Sequence, residues 1–242
     1  MSALVRVETR GACRTLVLNR PEKMNALSAE LVEALIAAVD AAHADRMQVL
    51  VLRGEGRNFS AGFDFGGVES QSEGDLVLRF VRIETLLQHI AASPCLTVAL
   101  AHGRNFGAGV DLFGACKLRC ATPDSGFRMP GLKFGLVLGT RRFADAVGHE
   151  TARAILEQAR VFGADEAQRI GFVHRLADTA DWPGVVEEAA RTAGSLDDAT
   201  RASLYRVLAR DRADADMADL VRSAAEPGLK ARIAAYLEAS RG

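Results

Sequence analysis

The chain is poor in the features that usually announce a function. It is 242 residues long with 30 basic and 31 acidic side chains, a formal net charge of −1. That balance leaves no electrostatic footprint for nucleic acid or an anionic membrane surface. No apolar run approaches the ~18 residues a membrane span needs. The stretch from Met1 to Gly11 carries Glu8 and lacks the apolar core of a secretion signal. The four cysteines (Cys13, Cys95, Cys116, Cys120) make no CxxC pair and no disulfide framework. They read as reduced structural thiols of a cytoplasmic protein, with Cys116 and Cys120 spaced to share a helix face. The five histidines show no HxxxH or HExxH spacing and no Cys/His cluster, so no metal is expected. Repeats and low-complexity tracts are absent as well.

What is present is alternation. Leu4–Val7 and Thr15–Leu18 flank Gly11 and predict an opening β-hairpin, broken by Asn19-Arg20-Pro21. Ser28 is a candidate N-cap for an amphipathic helix over 29–43, in which Leu31, Leu35, Val39 and Ala42 recur at helical spacing. Gln48–Leu52 predicts a buried strand, residues 68–75 a polar loop, Leu76–Ala92 a helix, and Leu96–Leu100 another buried strand. Lys117–Ala121 predicts a strand, and Phe127 to Gly139 largely loop. Thr151–Gln158 and Asp165–Ile170 predict helices, and Phe172–Leu176 a strand. From Pro183 the chain reads as helix alone, broken at Gly194 and at Pro227-Gly228. The pattern predicts an α/β fold with parallel strands (residues 1–182) and a C-terminal helical region (residues 183–242).

Two glycine-rich turns stand out, Asn58–Gly67 and Gly103–Gly109, the second opening an apolar helix with Asp111 in its first turn. A dinucleotide fingerprint needs G-x-G-x-x-G, but Leu112 stands where the third glycine belongs. A P-loop is excluded because no Gly-Lys-Ser/Thr follows. Two readings remain. The glycines serve tight strand–helix packing, or backbone N–H groups of both turns converge on one carbonyl oxygen as an oxyanion hole. Asp111 likewise reads either as an acid/base group or as a helix-start carboxylate favoured by the dipole.

Several motifs resemble the crotonase (enoyl-CoA hydratase/isomerase) superfamily. They are Leu18-Asn19-Arg20-Pro21-Glu22-Lys23-Met24-Asn25-Ala26-Leu27-Ser28, the loop Gly56–Asp64, the turn Gly103–Asp111, and Gly139-Thr140-Arg141-Arg142-Phe143. The resemblance implies a crotonase-like spiral of β-β-α turns whose C-terminal helices assemble a homotrimer or a hexamer. It implies an acyl-CoA thioester as ligand and no cofactor beyond that coenzyme A. By position, Phe63 and Ala108 would supply the oxyanion N–H groups. Lys23, Ala26, Ala61, Gly62, Asp64, Gly107 and Gly131 would border the substrate channel.

The chain departs from that pattern where the chemistry is done. A hydratase of the family uses two glutamates. Asp111 stands in place of the first, and Gly131, with no ionisable group, in place of the second. The loop Phe134–Thr140 is also about two residues short of the family's form. Losing one acid/base group typically forfeits ~10²–10⁴-fold in rate. The expectation is therefore an acyl-CoA-processing enzyme of hydratase/isomerase type with Asp111 as its single matched acid/base. The alternatives are a non-catalytic acyl-CoA binder or another enolate reaction, hydrolysis or decarboxylation. Arg141 and Arg142 are expected to pair with carboxylates or to serve a subunit contact, with a coenzyme A phosphate as the alternative partner. His102 is expected to be a hydrogen-bonded strand-end residue.

Overall fold

The computed structural model describes residues 3–209 and 212–240. The hairpin β1 (Val5–Arg10) and β2 (Cys13–Leu18) turns at Gly11, whose φ of +55° suits glycine. β2 then pairs in parallel with β3 (Val49–Gly54), β3 with β4 (Leu96–Ala101), β4 with β6 (Leu118–Ala121), and β6 with the short β9 (Arg175–Leu176). A second, three-stranded sheet holds β5 (Arg104–Phe106), β7 (Gly126–Arg128) and β8 (Phe162–Gly163). The chain thus passes from the large sheet to the small one and returns through helix, β4 to β5 to α3 (Ala108–Gly114) to β6 to β7. This is the spiral of β-β-α turns.

The unbroken apolar run of β3 has a direct cause: both faces of the strand are covered. Leu50 and Leu52 point into the main core with α1 (Ala29–Ala44) and α2 (Glu73–Ala91). Val49 and Val51 point the other way, onto Trp182, Val185, Ala189 and Ala193 of α7 (Trp182–Gly194). A strand buried on both faces shows no alternation, as parallel sheets require. Ser28 caps α1, accepting the Leu31 N–H at 3.3 Å.

Four expectations need correction. Residues 68–75 are not one loop: a 3-10 turn spans Val68–Ser70, and a reciprocal Ser72/Asp75 capping box starts α2 at Glu73. The strand over Phe172–Leu176 shrinks to β9, because the Phe172 carbonyl accepts Arg119 Nε at 2.6 Å and the Val173 N–H donates to Ala167 at 3.0 Å. Those groups are withdrawn from any ladder, and the Phe172 ring fills an aromatic cluster with Phe113, Phe127 and Phe143. Cys120 lies on β6 and Cys116 just beyond α3, so the two share no helix face. The region read as loop around 127–139 contains β7 and a 3-10 turn (Gly131–Phe134), followed directly by α4 (Thr140–Val147).

The remaining helices are α5 (His149–Gln158), α6 (Ala164–Arg169), α8 (Asp198–Leu208), α9 (Ala213–Ala224) and α10 (Leu229–Ala239). The tail breaks where Gly194 and Pro227-Gly228 placed it, and once more after Leu208, where Ala209 takes an extended backbone. Arg141 of α4 binds Asp216 at 2.8 Å and also Asp219, tying α9 to the body of the fold.

Gly109 sits in the first turn of α3, where an added Cβ would collide with the Ser60 backbone carbonyl. Backbone cannot yield as a side-chain tip can. Gly109→Ala is expected to destabilise the fold by about 1–3 kcal/mol in a denaturant titration, and to reduce activity beyond the loss of folded protein.

Candidate active site

The motif Leu18–Ser28 holds the 60s loop in place. Asn25 is fully buried. Its Oδ1 accepts the Arg20 N–H at 2.9 Å, and its Nδ2 donates to the carbonyls of Asn58 at 2.8 Å and Glu55 at 2.9 Å. Ser60 Oγ donates to the Asn25 carbonyl, Ala61 N–H to Met24, and Leu27 N–H to Gly62 at 2.7 Å. Arg20 Nη1 closes the clamp on the Ala26 carbonyl at 2.7 Å and on Asp64 at 2.9 Å.

The second turn is pressed against the first. Ser60 and Asn105 form a parallel bridge, and the Phe106 N–H donates to Ser60 at 3.1 Å. Gly62, at φ +82°, has no room for a side chain: a Cβ there would strike the Phe106 carbonyl oxygen and lie 3.0 Å from Ala108 N. Gly107 (φ +48°, ψ −125°) is the N-cap of α3, its N–H bound to the Arg128 carbonyl at 2.8 Å. Ala108 then takes an ordinary negative φ as the first helical residue, so its methyl strains nothing. Neither the Phe63 N–H nor the Ala108 N–H has an acceptor among the described residues. For Ala108 this follows from its place at a helix start, where N–H groups have no intrahelical partner.

Both residues line one cavity of about 180 Å³, together with Ala61, Gly107, Asp111 and Gly131. Asp111 is 7% exposed, and its Oδ1 has no hydrogen-bond partner. The carboxyl lies against Gly139, the N-cap of α4, where any Cβ would overlap it. Burial pushes the Asp111 carboxyl well above the usual carboxylate range; Arg142 opposes that rise and Glu84 adds to it. Arg142 is itself paired with the buried Glu84 and, at 3.2 Å, with Asp216. Asp111 is the one carboxylate among the described residues that line the cavity. At Gly131 a Cβ would lie 3.1 Å from the Leu136 carbonyl, whose own N–H binds the Gly131 carbonyl at 2.9 Å. A side chain at 131 would therefore press on the Leu136 carbonyl, which would have to give by a few tenths of an ångström.

Lys23, Ala26, Gly62 and Asp64 stand outside the cavity wall. Lys23 is exposed, Ala26 is buried in the clamp, and Gly62 is the contact between the two turns. Burial alone would raise the Asp64 carboxyl, but the Gly66 N–H, Arg20 and Arg79 together hold it below its usual range. That is a carboxylate fixed in structure. His102 lies away from the cavity, with Nε2 2.8 Å from the Gly56 carbonyl and its ring edge-on to Trp182.

Most of the remaining wall comes from residues outside the two glycine turns. Phe65, Phe80 and Phe134 line it, and Tyr236 and Leu237 arrive from α10, more than a hundred residues beyond the turns. Phe65 lies inside the glycine-rich loop and was visible there. Tyr236 carried no local signal. The buried Glu84 was detectable only as a carboxylate on the apolar face of α2.

Two glycine turns, unpaired amides and a buried acid invite comparison with known proteins. A family model described as enoyl-CoA hydratase/isomerase matches residues 8–235. The chain belongs to this family, within the crotonase superfamily. It is 36% identical over 185 residues to a probable enoyl-CoA hydratase of Mycobacterium tuberculosis, covering 75% of this chain and 74% of that one. It is 28% identical to a Dictyostelium discoideum Delta(3,5)-Delta(2,4)-dienoyl-CoA isomerase, covering 86% and 82%. A Bordetella parapertussis crystal structure, a candidate enoyl-CoA hydratase/isomerase, superimposes with a TM-score of 0.97 at 65% identity, over 98% of this chain and 99% of that one. As a crotonase-family member the chain is an acyl-CoA-processing enzyme. No helix among the described residues is long and apolar enough to cross a membrane.

A carboxyl whose native pKa exceeds its unfolded value near 3.8 binds more protons in the folded state. Its contribution to stability is therefore complete below about pH 4 and is lost as pH rises toward the native pKa. Asp111→Asn removes the group whose ionised form is costly in the folded state. At pH 7 the variant is expected to melt higher than wild type, by about 2–4 °C per kcal/mol relieved. The gap should narrow toward pH 4 in paired thermal melts.

Proposed function

We propose that this enzyme holds the thioester carbonyl of an acyl-CoA between the N–H groups of Phe63 and Ala108, and moves a proton with Asp111 alone. The observation that carries this reading is the pairing of two unpartnered amides with one buried carboxyl in a single cavity. Donors fixed in place before the reaction lower the cost of an enolate oxyanion most where water is excluded. Burial brings the Asp111 pKa upward, toward the pH at which one group can both take and return a proton.

The chemistry that follows is a shift of a double bond in an enoyl-CoA. Ionised Asp111 takes a proton from the α-carbon, the electron pair enters the thioester as an enolate, and the same carboxyl returns the proton at the γ-carbon. Hydration across a conjugated double bond needs a second group at the site of Gly131, and none is there. A second reading rests on the same raised pKa. Resting as a neutral acid, Asp111 would protonate the enolate left when a 2-carboxyacyl-CoA loses carbon dioxide, and a Homo sapiens ethylmalonyl-CoA decarboxylase is 29% identical over 181 residues. A purely binding role would instead leave every such thioester unchanged.

Neither reaction requires a cofactor beyond the coenzyme A of the substrate. The exposed Leu204, Val207 and Leu208 on α8 support assembly of copies through the C-terminal helices as a trimer or hexamer.

The test is to follow conjugated-thioester absorbance with 3-enoyl- and 2-enoyl-CoA esters. Isomerisation should outpace hydration, and Asp111→Asn should lower turnover ~10²–10⁴-fold. Unchanged turnover in that variant would sink the role of Asp111. Gly131→Glu is expected to gain little hydratase activity, since its Cβ would press on the Leu136 carbonyl and turn the new carboxyl from its working position.

A further inference from the structure

The cavity beside the two amides is walled by rings out of proportion to a chain with 6% aromatic residues. Phe63 stacks on Phe80 with centroids 4.3 Å apart and meets Phe65 edge-on at 5.1 Å. Phe65 meets Phe134 edge-on at 6.2 Å, and Tyr236 reaches over both, 5.2 Å from Phe134 and 6.3 Å from Phe65. All five rings line the same space. They run as one connected series from the residue that supplies the Phe63 N–H to the helix that closes the far side.

Two quantities limit what fits. The volume is about 180 Å³, slightly more than the ~150 Å³ of an engineered apolar cavity that accepts one benzene. Asp111, Arg128, Thr140 and Ser240 are the polar residues of the wall and the rest is apolar, so the phosphates and amides of coenzyme A belong outside it, and the acyl group belongs within. The three Phe–Phe pairs, stacked or edge-on with centroids 4.3–6.2 Å apart, have the arrangement in which aromatic groups attract one another beyond simple area burial, and Tyr236 joins them at a tilt, 5.2 and 6.3 Å from its two neighbours. A guest ring can join that series as a further member. An alkyl chain of the same carbon count gains only from area.

We infer that the preferred acyl group carries a six-membered aromatic ring, so that the substrate class is an arylacyl-CoA whose ring lodges among Phe65, Phe134 and Tyr236. The inference rests on the acyl-thioester reading given under Proposed function and adds to it the identity of the acyl group. Tyr236 and Phe134 become specificity-determining residues, acting on which thioester binds and not on the proton transfer.

The experiment compares calorimetric affinities of the full-length protein for phenylacetyl-CoA, cyclohexylacetyl-CoA and octanoyl-CoA, which all carry eight acyl carbons, with free coenzyme A as reference. Phenylacetyl-CoA is expected to bind about tenfold tighter than either of the other two esters. In Tyr236→Leu and Phe134→Leu the ratio between phenylacetyl-CoA and octanoyl-CoA should fall to within about threefold. Measurable octanoyl-CoA binding shows that each variant is folded. Equal or tighter binding of octanoyl-CoA by wild type overturns the ring assignment while leaving the acyl-thioester reading standing. Equal binding of cyclohexylacetyl-CoA overturns its aromatic character. If no ester binds better than free coenzyme A, the acyl-thioester reading itself fails, and the ring assignment with it.

Discussion

The structure depends on a contact between two stretches of backbone that no side chain could occupy. Gly62 lies against the Phe106 carbonyl and Ala108 N, and Gly109 against the Ser60 carbonyl. Two turns from different β-β-α units come together only because these positions lack a Cβ. Their closeness leaves two N–H groups unpaired inside an apolar cavity. Orphaned donors of this kind are costly in a folded protein, and each ordinarily finds a partner. Here the clamp of Arg20, Asn25 and Asp64 fixes the first turn, while the Arg128 carbonyl fixes the second.

Asp111 follows from the same arrangement. It lies one turn into α3, so whatever sets the Ala108 N–H also sets this carboxyl. Gly139 makes room for it, and the Arg142–Glu84 pair stands behind it with charges of opposite sign whose effects largely oppose each other. Desolvation therefore dominates, and the group is biased toward its protonated form. In the proposed reaction a lone acid in this condition both takes a proton and returns it. Gly131 brings no ionisable group to the cavity wall, and a Cβ there would lie 3.1 Å from the Leu136 carbonyl.

Much of this was legible in the residues, for reasons that differ from place to place. The strand Val49–Leu52 and the helix from Ser28 were readable because apolar period and cap chemistry act locally. The glycine turns were readable because their constraint is on the backbone itself. The three-residue strands β5 and β7 were not, since so short a run has no periodicity to detect. Neither was the fate of Phe172 and Val173, whose backbone groups are claimed by Arg119 and Ala167 from elsewhere in the fold. The site shows the same division. Phe63, Ala108 and Asp111 lie on motifs, whereas Tyr236 joins the cavity only because α10 folds back over it. Lys23 and Asp64 lie on motifs too, yet outside the cavity wall, because a motif preserves the clamp as well as the site it supports.

The central claim is that the Phe63 and Ala108 N–H groups grip a thioester oxygen. Difference infrared spectroscopy of an acyl-CoA labelled with ¹³C at the thioester carbonyl reads that grip directly. Two donors aimed at the oxygen polarise the carbonyl, so its stretch should move to lower frequency on binding than it has in water. A bound thioester whose carbonyl stretch stays at or above its value in water would contradict the account.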